Sequence, residues 1–480
     1  MIENFVKNRI KQALPFTPNE GQEELLGLLA HFLVAQAAPN THTSFSQKPT
    51  DNERHTFILR GYAGTGKTSI MAALVRAMHE LKQPVVLLAP TGRAAKVFSR
   101  YAGMAAYTIH KCIYRQQRLG VEDFAIAENK HRHTLFIVDE ASMISGQRNE
   151  SNFGTGMLLD DLVSFVYSGA GCRMLLLGDD AQLPPVGSNL SPALDAQYMA
   201  GYGLHVTTYT LTQVARQALD SGILKNATQL RNRLSDNYPL SSDDDENWIY
   251  TPDFQSLAGT DFLEELERSY REVGDEDTII LTRTNRRTNL YNQGVRARIL
   301  WKEDEISTGD RLMVCKNNYF WTEQYEDLPF LANGDMLEIV RLRNTREMYG
   351  FRFADASLRS LDYDWEIDAV LWLDTLSTDS PETHYELQKT LFSRIAEDYP
   401  ELQRNRRKLT EAVYKSPYFN ALQVRFAYAV TCHKAQGGQW KRVFIDTGNV
   451  PPEQRDTNYL RWLYTAVTRA TECVYLLKKT

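Results

Sequence analysis

Short apolar runs alternate with amphipathic stretches along the first part of the chain. Four runs bounded by turn residues have the continuous apolar character of strands buried in a parallel sheet, namely TFILR, PVVLLAP, TLFIVDE and CRMLLLGD. The stretches between them are typical of helices that cross over from one parallel strand to the next. The pattern predicts a doubly wound α/β domain over residues 1–205.

A second strand–helix alternation begins at TIILTRTNRRTNLYNQGVRARIL, resumes at RFAYAVT and ends with VFIDTG and CVYLLKK. Residues 309–424 have a different character, with three predicted strands (RLMVCKN, DMLEIVRLRN and YGFRFAD) followed by one helix-like stretch at 381–414. This arrangement predicts a second α/β domain from 206–308 and 425–480, interrupted by an inserted domain. The polar stretches 37–54 and 241–260 are expected to be surface loops.

Composition is typical of a soluble globular protein. The 480 residues are 43% apolar and 24% charged, and no apolar run approaches the ~18 residues of a membrane-spanning helix. The start, MIENFVKNRIKQAL, predicts a short amphipathic helix and lacks the apolar stretch of a secretion signal. Five scattered cysteines without metal-like spacing argue against a disulfide framework or a structural zinc site, and predict reduced thiols and a cytoplasmic location.

Net charge taken alone argues against a nucleic-acid partner, because it is −6 with a pI of about 6.0. The charge is unevenly distributed, however: residues 243–277 hold 13 acids and two bases, which leaves +5 for the rest of the chain. Residues 89–118 and 281–302 each carry six basic residues and no acid. Such segments suit a groove that follows a phosphate backbone, although solvated helix faces have the same composition.

The strongest chemical signal is a P-loop. Residues 61–68, GYAGTGKT, fit GxxxxGK[ST] between a predicted strand and a predicted helix. Glycines let successive backbone N–H groups turn toward phosphates at a helix N-terminus. We expect Lys67 to reach the β- and γ-phosphates of ATP and the Thr68 hydroxyl to bind Mg²⁺. The residues expected to surround the phosphates are Gly61, Ala63, Gly64, Thr65, Gly66, Lys67 and Thr68.

Other residues complete a candidate hydrolytic site. Asp139 and Glu140 follow a predicted strand, so the first carboxylate can hold Mg²⁺ and the second can activate the attacking water. Gln182 follows another strand and can sense the γ-phosphate. Arg216 and Arg469 lie far away in sequence and are candidates for neutralising the transferring phosphoryl group. Thr17 and Glu20 predict a capping box that places Gln22 in a first helical turn, where it either pairs with adenine or is a plain surface residue.

These elements come in an order that resembles the B subgroup of superfamily 1 helicases, the RecD-like and phage Dda-like enzymes. LLAPTGRAAKVFSR and TIHKCI resemble motifs Ia and Ib, TLFIVDEASMIS motif II, and LLLGDDAQLPPVGS motif III. LTQVARQ matches the following arginine motif, AVTCHKAQGGQW motif V and LYTAVTRATE motif VI, while GDRLMVCKNNYF with LANGD resembles the start of an SH3-like insert.

The resemblance implies two RecA-like domains, with ATP between them and single-stranded DNA across both. It implies domain 1A at 1–205 with a pin insertion at 114–133, domain 2A at 206–308 and 425–480, and an SH3-like domain 2B with a helical insertion at 309–424. It places Gly437 and Gln439 at the nucleotide, although relatives usually have Glu where this chain has Gln439. The residues that it places at DNA are Thr91, Arg93, Lys96, Thr108, His110, Asn317, Thr431, His433 and Lys434.

The short pin leaves two interpretations of Phe124 open: its ring stacks on the base pair at the fork, or it anchors a hairpin on its own domain. The helical insertion, with Arg404, Arg406, Arg407 and Lys408, either touches DNA or is exposed. The resemblance predicts a monomeric, ATP- and Mg²⁺-dependent 5′→3′ helicase that binds single strands and forks, with no membrane and with recombination or replication proteins as candidate partners. Alternatives are a translocase that strips proteins from single strands, an ATP-binding subunit of a recombination or repair complex, and an RNA helicase.

Overall fold

The structure of the chain is a computed structural model, in which the described residues are 1–34, 54–116, 124–148, 153–213, 220–236, 247–325, 328, 330–378 and 381–478. Their strands form two parallel sheets, one closed barrel and a short hairpin. The predicted α/β class, with parallel sheets flanked by helices, is confirmed. The residue limits of the individual domains stay predictions. No helix among the described residues has the length and hydropathy needed to cross a bilayer.

The first lobe is a six-stranded sheet with its helices, in the order β3-β2-β6-β7-β1-β8 and with all neighbours parallel. Phe57, Ile58 and Leu59 of the interior strand β1 are all fully buried, which explains the continuous apolar runs of the sequence. Strands β4 and β5 form a separate antiparallel hairpin. The strands are β1 His55–Gly61, β2 Val85–Ala89, β3 Ala106–Thr108, β4 Tyr114–Gln116, β5 Phe124–Ile126, β6 Leu135–Val138, β7 Arg173–Gly178 and β8 His205–Leu211. The helices are α1 Ile2–Gln12, α2 Glu20–Val34, α3 Lys67–Glu80, α4 Gly92–Ala102, α5 Ile109–Ile113, α6 Leu158–Ser168 and α7 Ala196–Ala200.

The second lobe is a five-stranded parallel sheet with its helices, in the order β16-β10-β17-β18-β9. The loop expected at 241–260 is wrong in part, because Phe254 is fully buried in an edge strand of this sheet. The remaining strands are β9 Phe254–Leu257, β10 Thr278–Thr282, β11 Arg311–Val314, β12 Met336–Met348, β13 Phe351–Ser360, β14 Glu366–Trp372, β15 Leu422–Phe426, β16 Ala429–Thr431, β17 Trp440–Ile445 and β18 Ala470–Leu477. The remaining helices are α8 Gly222–Asp236, α9 Phe262–Val273, α10 Asn285–Arg298, α11 Pro381–Ala396, α12 Arg406–Tyr414 and α13 Thr457–Val467.

Strands β11 to β15 close into the barrel, which is inserted between β10 and β16 of the second lobe. Leu312 on β11 pairs with Leu337 on one side and with Phe426 on the other. Between β14 and β15 the chain leaves the barrel to form the helical insert, α11 and α12. The helical insertion predicted there consists of two helices, because Asn405 caps the second one and accepts a hydrogen bond from the backbone of Lys408 at 3.2 Å.

Candidate active site and nucleic-acid interface

The P-loop connects β1 to α3, as the motif requires. Gly64 and Gly66 have φ angles of 74° and 86°, a left-handed conformation that glycine adopts without strain. The Lys67 ammonium donates to the backbone oxygens of Gly61 and Tyr62, the latter at 3.0 Å. The loop thus presents the N-terminus of α3, and its lysine is held by neutral carbonyl oxygens that an anionic phosphate can replace.

Gln22 supports this loop from behind. Its side chain is buried, donates to the Thr65 carbonyl oxygen at 3.0 Å, and accepts from the backbone N–H of Asn19 at 3.0 Å. Asn19 in turn accepts from the Gln22 backbone at 2.9 Å, so the capping box lies two residues beyond the predicted Thr17–Glu20 pair. The surface alternative for Gln22 is therefore wrong, and its contact with adenine stays a prediction.

A cleft of about 380 Å³ lies between the two lobes next to the P-loop. Of the predicted nucleotide residues, Gln22, Gly61 and Thr65 do not line it, while Arg216 lies outside the described residues. The predicted residues that do line the cleft are Ala63, Gly64, Gly66, Lys67, Thr68, Asp139, Glu140, Gln182, Gly437, Gln439 and Arg469. The structure therefore brings together residues from both lobes that are separated by hundreds of positions in sequence.

Two carboxylates follow β6 at this cleft. The backbone N–H of Glu140 donates to Asp139 Oδ1 at 2.9 Å, and Glu140 has a φ of 51°, an uncommon conformation for a residue with a side chain. Desolvation, and then the charge of Glu140, raise the pKa of Asp139, while the cations of Lys67 and Arg469 oppose the shift. A buried carboxylate beside a second carboxylate is stabilised by a bound cation, which fits the expected role of Asp139 as a Mg²⁺ ligand.

Arg469 reaches the same carboxylates from the second lobe. It is almost fully buried, it donates to the carbonyl oxygens of Thr465 and Gly438, and its Nη1 lies 3.6 Å from Glu140 Oε1. Nearby, Gly437 (φ 75°) approaches α4 so closely that an added Cβ would lie 2.6 Å from the Ala94 Cβ. Arg469 and the approach of Gly437 to α4 therefore join the second lobe to the first at this cleft.

A buried tyrosine that the sequence reasoning missed also joins the lobes. Tyr464 on α13 donates to Asp179 Oδ2 at 2.6 Å and accepts from the P-loop N–H of Ala63 at 2.9 Å. Burial raises the pKa of Asp179, and the nearby charge of Lys67 and this hydrogen bond oppose the rise. Gln182, three residues later, has a buried Oε1 without a hydrogen-bond partner among the described residues. Tyr464 lies within the predicted motif VI, LYTAVTRATE, and its place in that motif is the signal that could have indicated a role at the cleft.

Four threonines lie at the carboxyl ends of parallel strands, on both lobes. Thr91, Thr108 and Thr284 are the N-caps of α4, α5 and α10, and each hydroxyl accepts from its own helix, at 3.2, 3.2 and 3.3 Å. Thr431 ends β16. Because each capping hydroxyl accepts a hydrogen bond, its own hydrogen can still be donated to an anion such as a phosphate oxygen. The adjacent helix N-terminus also favours an anion. Thr284 was not predicted, although it has the same strand–Thr–helix pattern as the other two.

The basic residues expected at DNA have protein partners in this structure. Arg93 lies 4.4 Å from the Trp440 ring centroid and 3.6 Å from Asp362 of the barrel, and Lys96 donates to the Leu361 carbonyl oxygen. Lys434 donates to Asn333 at 2.6 Å.

Two other predicted DNA residues are packed against aromatic rings or held by the barrel. His110 lies among aromatic rings, with 5.0 Å to the Phe153 centroid, and burial lowers its pKa to about 4. Asn317 accepts from the backbone of Asn333 at 2.7 Å, while His433 is exposed. The DNA role of this group stays a prediction.

The structure favours the second interpretation of Phe124. Its ring is buried and lies 4.7 Å from the rings of both Phe153 and Tyr319, measured between centroids. A ring enclosed in this way has no face left to stack on a base pair, so the stacking prediction does not agree with the structure. Phe124 anchors the β4–β5 hairpin, whose connecting residues 117–123 lie outside the described part.

Comparison with known proteins is consistent with this geometry. The family model for the AAA domain matches residues 44–237, and that for the UvrD-like helicase C-terminal domain matches residues 426–477. The ATP-dependent DNA helicase dda of Enterobacteria phage T4 is 24% identical over 83% of this chain and 89% of its own length. The ATP-dependent RecD2 DNA helicase of Deinococcus radiodurans is 35% identical over 35% of this chain, which spans about a fifth (21%) of that relative.

Among solved structures, the Pif1 helicase from Bacteroides in complex with ADP-AlF3 and ssDNA is similar over 89% of both chains, with 15% identity and a TM-score of 0.45. The two family models fall on the two halves of the cleft, and the similarity to Dda runs through both. The chain is therefore similar to helicases over both lobes, as the resemblance of its motifs to superfamily 1B predicts.

Proposed function

We propose that this chain is an ATP-dependent DNA helicase that moves 5′→3′ along single-stranded DNA and opens forked duplexes. The observation that carries the proposal is the cleft in which Arg469 of the second lobe faces Glu140 of the first at 3.6 Å. Hydrolysis at such a site depends on the relative position of the lobes. The names of the relatives Dda and RecD2 support DNA as the substrate, and the resemblance to the B subgroup supports the polarity.

The residues of the cleft fit ATP with Mg²⁺. When bound, ATP supplies the phosphoanhydride bond whose hydrolysis drives movement. The P-loop N–H groups and Lys67 would hold its phosphates, and Thr68 with Asp139 would hold Mg²⁺. Glu140 would accept the proton of the attacking water, while Arg469 would neutralise the charge that develops on the transferred group.

Movement along DNA would follow from the placement of the strand-end threonines. Thr91 and Thr108 lie on the first lobe, and Thr284 and Thr431 lie on the second. A strand that crosses both pairs is held by two bodies whose separation depends on the state of the cleft. Closing and opening would therefore change the spacing between the two holds once per ATP.

Polarity is the first experiment. Two matched duplexes, one with a 5′ single-stranded tail and one with a 3′ tail, are unwound with ATP, and Lys67→Ala serves as the inactive control. We expect opening of the 5′-tailed duplex alone, and loss of both hydrolysis and opening in Lys67→Ala with DNA binding largely kept. Opening of the 3′-tailed duplex alone would contradict the assignment, and normal hydrolysis by Lys67→Ala would contradict the site.

The burial of Phe124 favours a second candidate, a translocase that displaces proteins from single strands without efficient unwinding. In the same experiment this function predicts DNA-stimulated ATP hydrolysis with neither duplex opened. Removal of streptavidin from a biotinylated strand end would then be the activity to measure. The monomeric state, the cytoplasmic location and the replication or recombination partners stay predictions.

A further inference from the structure

A cavity of about 390 Å³ lies where the barrel, the helical insert and the second lobe meet. None of the described residues that line it is acidic. The side chains on which the argument rests are Lys316, His384, Tyr385, Arg425, Thr431 and Lys434. The barrel supplies Lys316 and Arg425, helix α11 supplies His384 and Tyr385, and the second lobe supplies Thr431 and Lys434.

Arg425 is the least compensated charge of this cavity. It is 8% exposed, its Nε is buried without a hydrogen-bond partner, and it forms no ion pair with a described carboxylate. Its Nη2 lies 3.3 Å from His384 Nε2. That nitrogen contacts the Thr378 hydroxyl at 2.6 Å, and the hydroxyl donates its own hydrogen to Thr375. A guanidinium only donates, so its partner here is a neutral ring nitrogen, which does not compensate the charge.

The two lysines of the cavity have only neutral partners in the described part of the chain. Lys316 donates to the Gln388 side chain at 3.1 Å, and Lys434 donates to the Asn333 side chain at 2.6 Å. Burial and the charge of Arg425 lower the pKa of His384, which keeps that ring neutral. Three positive charges thus share one cavity, and no carboxylate is among the described residues that line it.

A buried cation such as Arg425 without a counter-ion is costly, because it loses hydration and gains no compensating attraction. Lys316 and Lys434 line the same cavity with exposed side chains, so an anion that enters it meets one buried and two exposed cations. Thr431, one of the four strand-end threonines, lies at the end of β16 and lines this same cavity. A phosphate bound in the cavity would therefore belong to the same DNA strand that contacts Thr431. The Tyr385 ring is 67% exposed at the rim and is a flat surface on which a base can stack.

We propose that this cavity binds one nucleotide of the single strand, with its phosphodiester on Arg425, Lys316 and Lys434 and its base on Tyr385. The helical insert is then one wall of the DNA path. The proposal rests on the proposed function, since it assumes that single-stranded DNA crosses the second lobe. It places the DNA contact of the insert on α11 and not on the basic residues of α12, for which contact with DNA and simple exposure were both left open.

The test compares Tyr385→Ala, Arg425→Gln and Arg407→Gln by fluorescence anisotropy with a labelled oligothymidylate over a series of salt concentrations. Arg407 is the matched control, since its side chain is 88% exposed on α12 of the same insert. We expect Tyr385→Ala to bind about 5- to 100-fold more weakly, as for loss of one stacked base. We expect Arg425→Gln to reduce the slope of log affinity against log salt by about one, and Arg407→Gln to match the native chain.

Native affinity and slope in both cavity variants would overturn the proposal while leaving the helicase function intact. Absence of DNA binding by the native chain would instead overturn the proposed function, so the two failures are distinguishable. Tyr385→Ala changes an exposed side chain and keeps the test valid if Arg425→Gln does not fold. If inorganic phosphate raises the melting temperature of the native chain but not of Arg425→Gln, with equal DNA affinity, the cavity binds a small anion and the strand proposal is wrong.

Discussion

Replacing Tyr464 by Phe removes one hydroxyl from the junction of the lobes and changes nothing else in the shape of the side chain. That hydroxyl accepts from Ala63 and donates to Asp179, and both of these groups belong to the first lobe, whereas Tyr464 belongs to the second. After the substitution, the N–H of Ala63 and one carboxylate oxygen of Asp179 face a ring that cannot hydrogen bond. They regain partners only if water enters the junction in place of the hydroxyl.

The size of the effect follows from the two polar groups that lose their hydrogen-bond partner. A buried donor or acceptor left without a partner costs about 1–3 kcal/mol, so the pair costs roughly 2–6 kcal/mol while the lobes stay together. Asp179 keeps its hydrogen bond from the Ala181 backbone at 3.1 Å, which favours the lower part of that range. Because closure brings Arg469 to Glu140, even 1.4 kcal/mol against closure should reduce kcat/KM for ATP about tenfold.

The assay is DNA-stimulated ATP hydrolysis together with thermal unfolding, and the control is Tyr167→Phe. Tyr167 donates to the His55 carbonyl oxygen at 2.9 Å and also contacts Thr56, so its hydroxyl bonds only within the first lobe. Both variants should melt at a lower temperature, but only Tyr464→Phe should lose kcat/KM. Equal kcat/KM in the two variants would refute the reasoning that Tyr464 couples the lobes.

Three further predictions use the same measurements. Gly437→Ala should lower kcat/KM without removing a catalytic group, because Gly437 has a φ of 75° and the added Cβ would lie 2.6 Å from the Ala94 Cβ. Native activity in this variant would show that the lobes do not approach each other there. Burial, and then the charge of Asp362, raise the pKa of Asp335 to about 7. Its contribution to stability is therefore present in acid and is lost as the pH rises from about 4 to about 7, by up to 1.4 kcal/mol per pH unit. Melting curves of Asp335→Asn should lack this decline in stability. An unchanged decline would exclude Asp335 as its source. Phe124→Ala should destabilise the first lobe by about 3–5 kcal/mol because it empties a packed aromatic position, and an unchanged melting temperature would contradict that packing.

Much of the motor could be predicted from local pattern. The interior strands were predictable because strands buried on both faces are apolar throughout, as Phe57, Ile58 and Leu59 of β1 are. The P-loop was predictable because its glycines, lysine and threonine are adjacent in sequence. Edge strand β9 was missed, since its segment is short and lies in an acidic, turn-rich stretch.

The contacts between lobes could not be predicted in the same way. Tyr464 and Ala63 are 401 positions apart, and nothing in either local sequence indicates that one hydroxyl serves both Ala63 and Asp179. The burial of Phe124 likewise depends on Tyr319, which comes from the barrel. Aromatic composition predicts that such a ring packs or stacks, but only the fold decides which of the two occurs.

The way the barrel joins the second lobe has a consequence for how this motor can be altered. The chain enters the barrel on β11 and leaves it on β15, and these two strands are hydrogen-bonded neighbours, with Leu312 beside Phe426. The helical insert is joined to the barrel in the same way. The chain leaves the barrel at the end of β14 and returns on β15, and these strands are also neighbours, with Leu371 paired with Leu422. The barrel and the helical insert therefore each begin and end on neighbouring strands. Natural variation, or an engineer who grafts a reporter or an affinity module, can exchange the outermost part while the ATP-driven core keeps its shape.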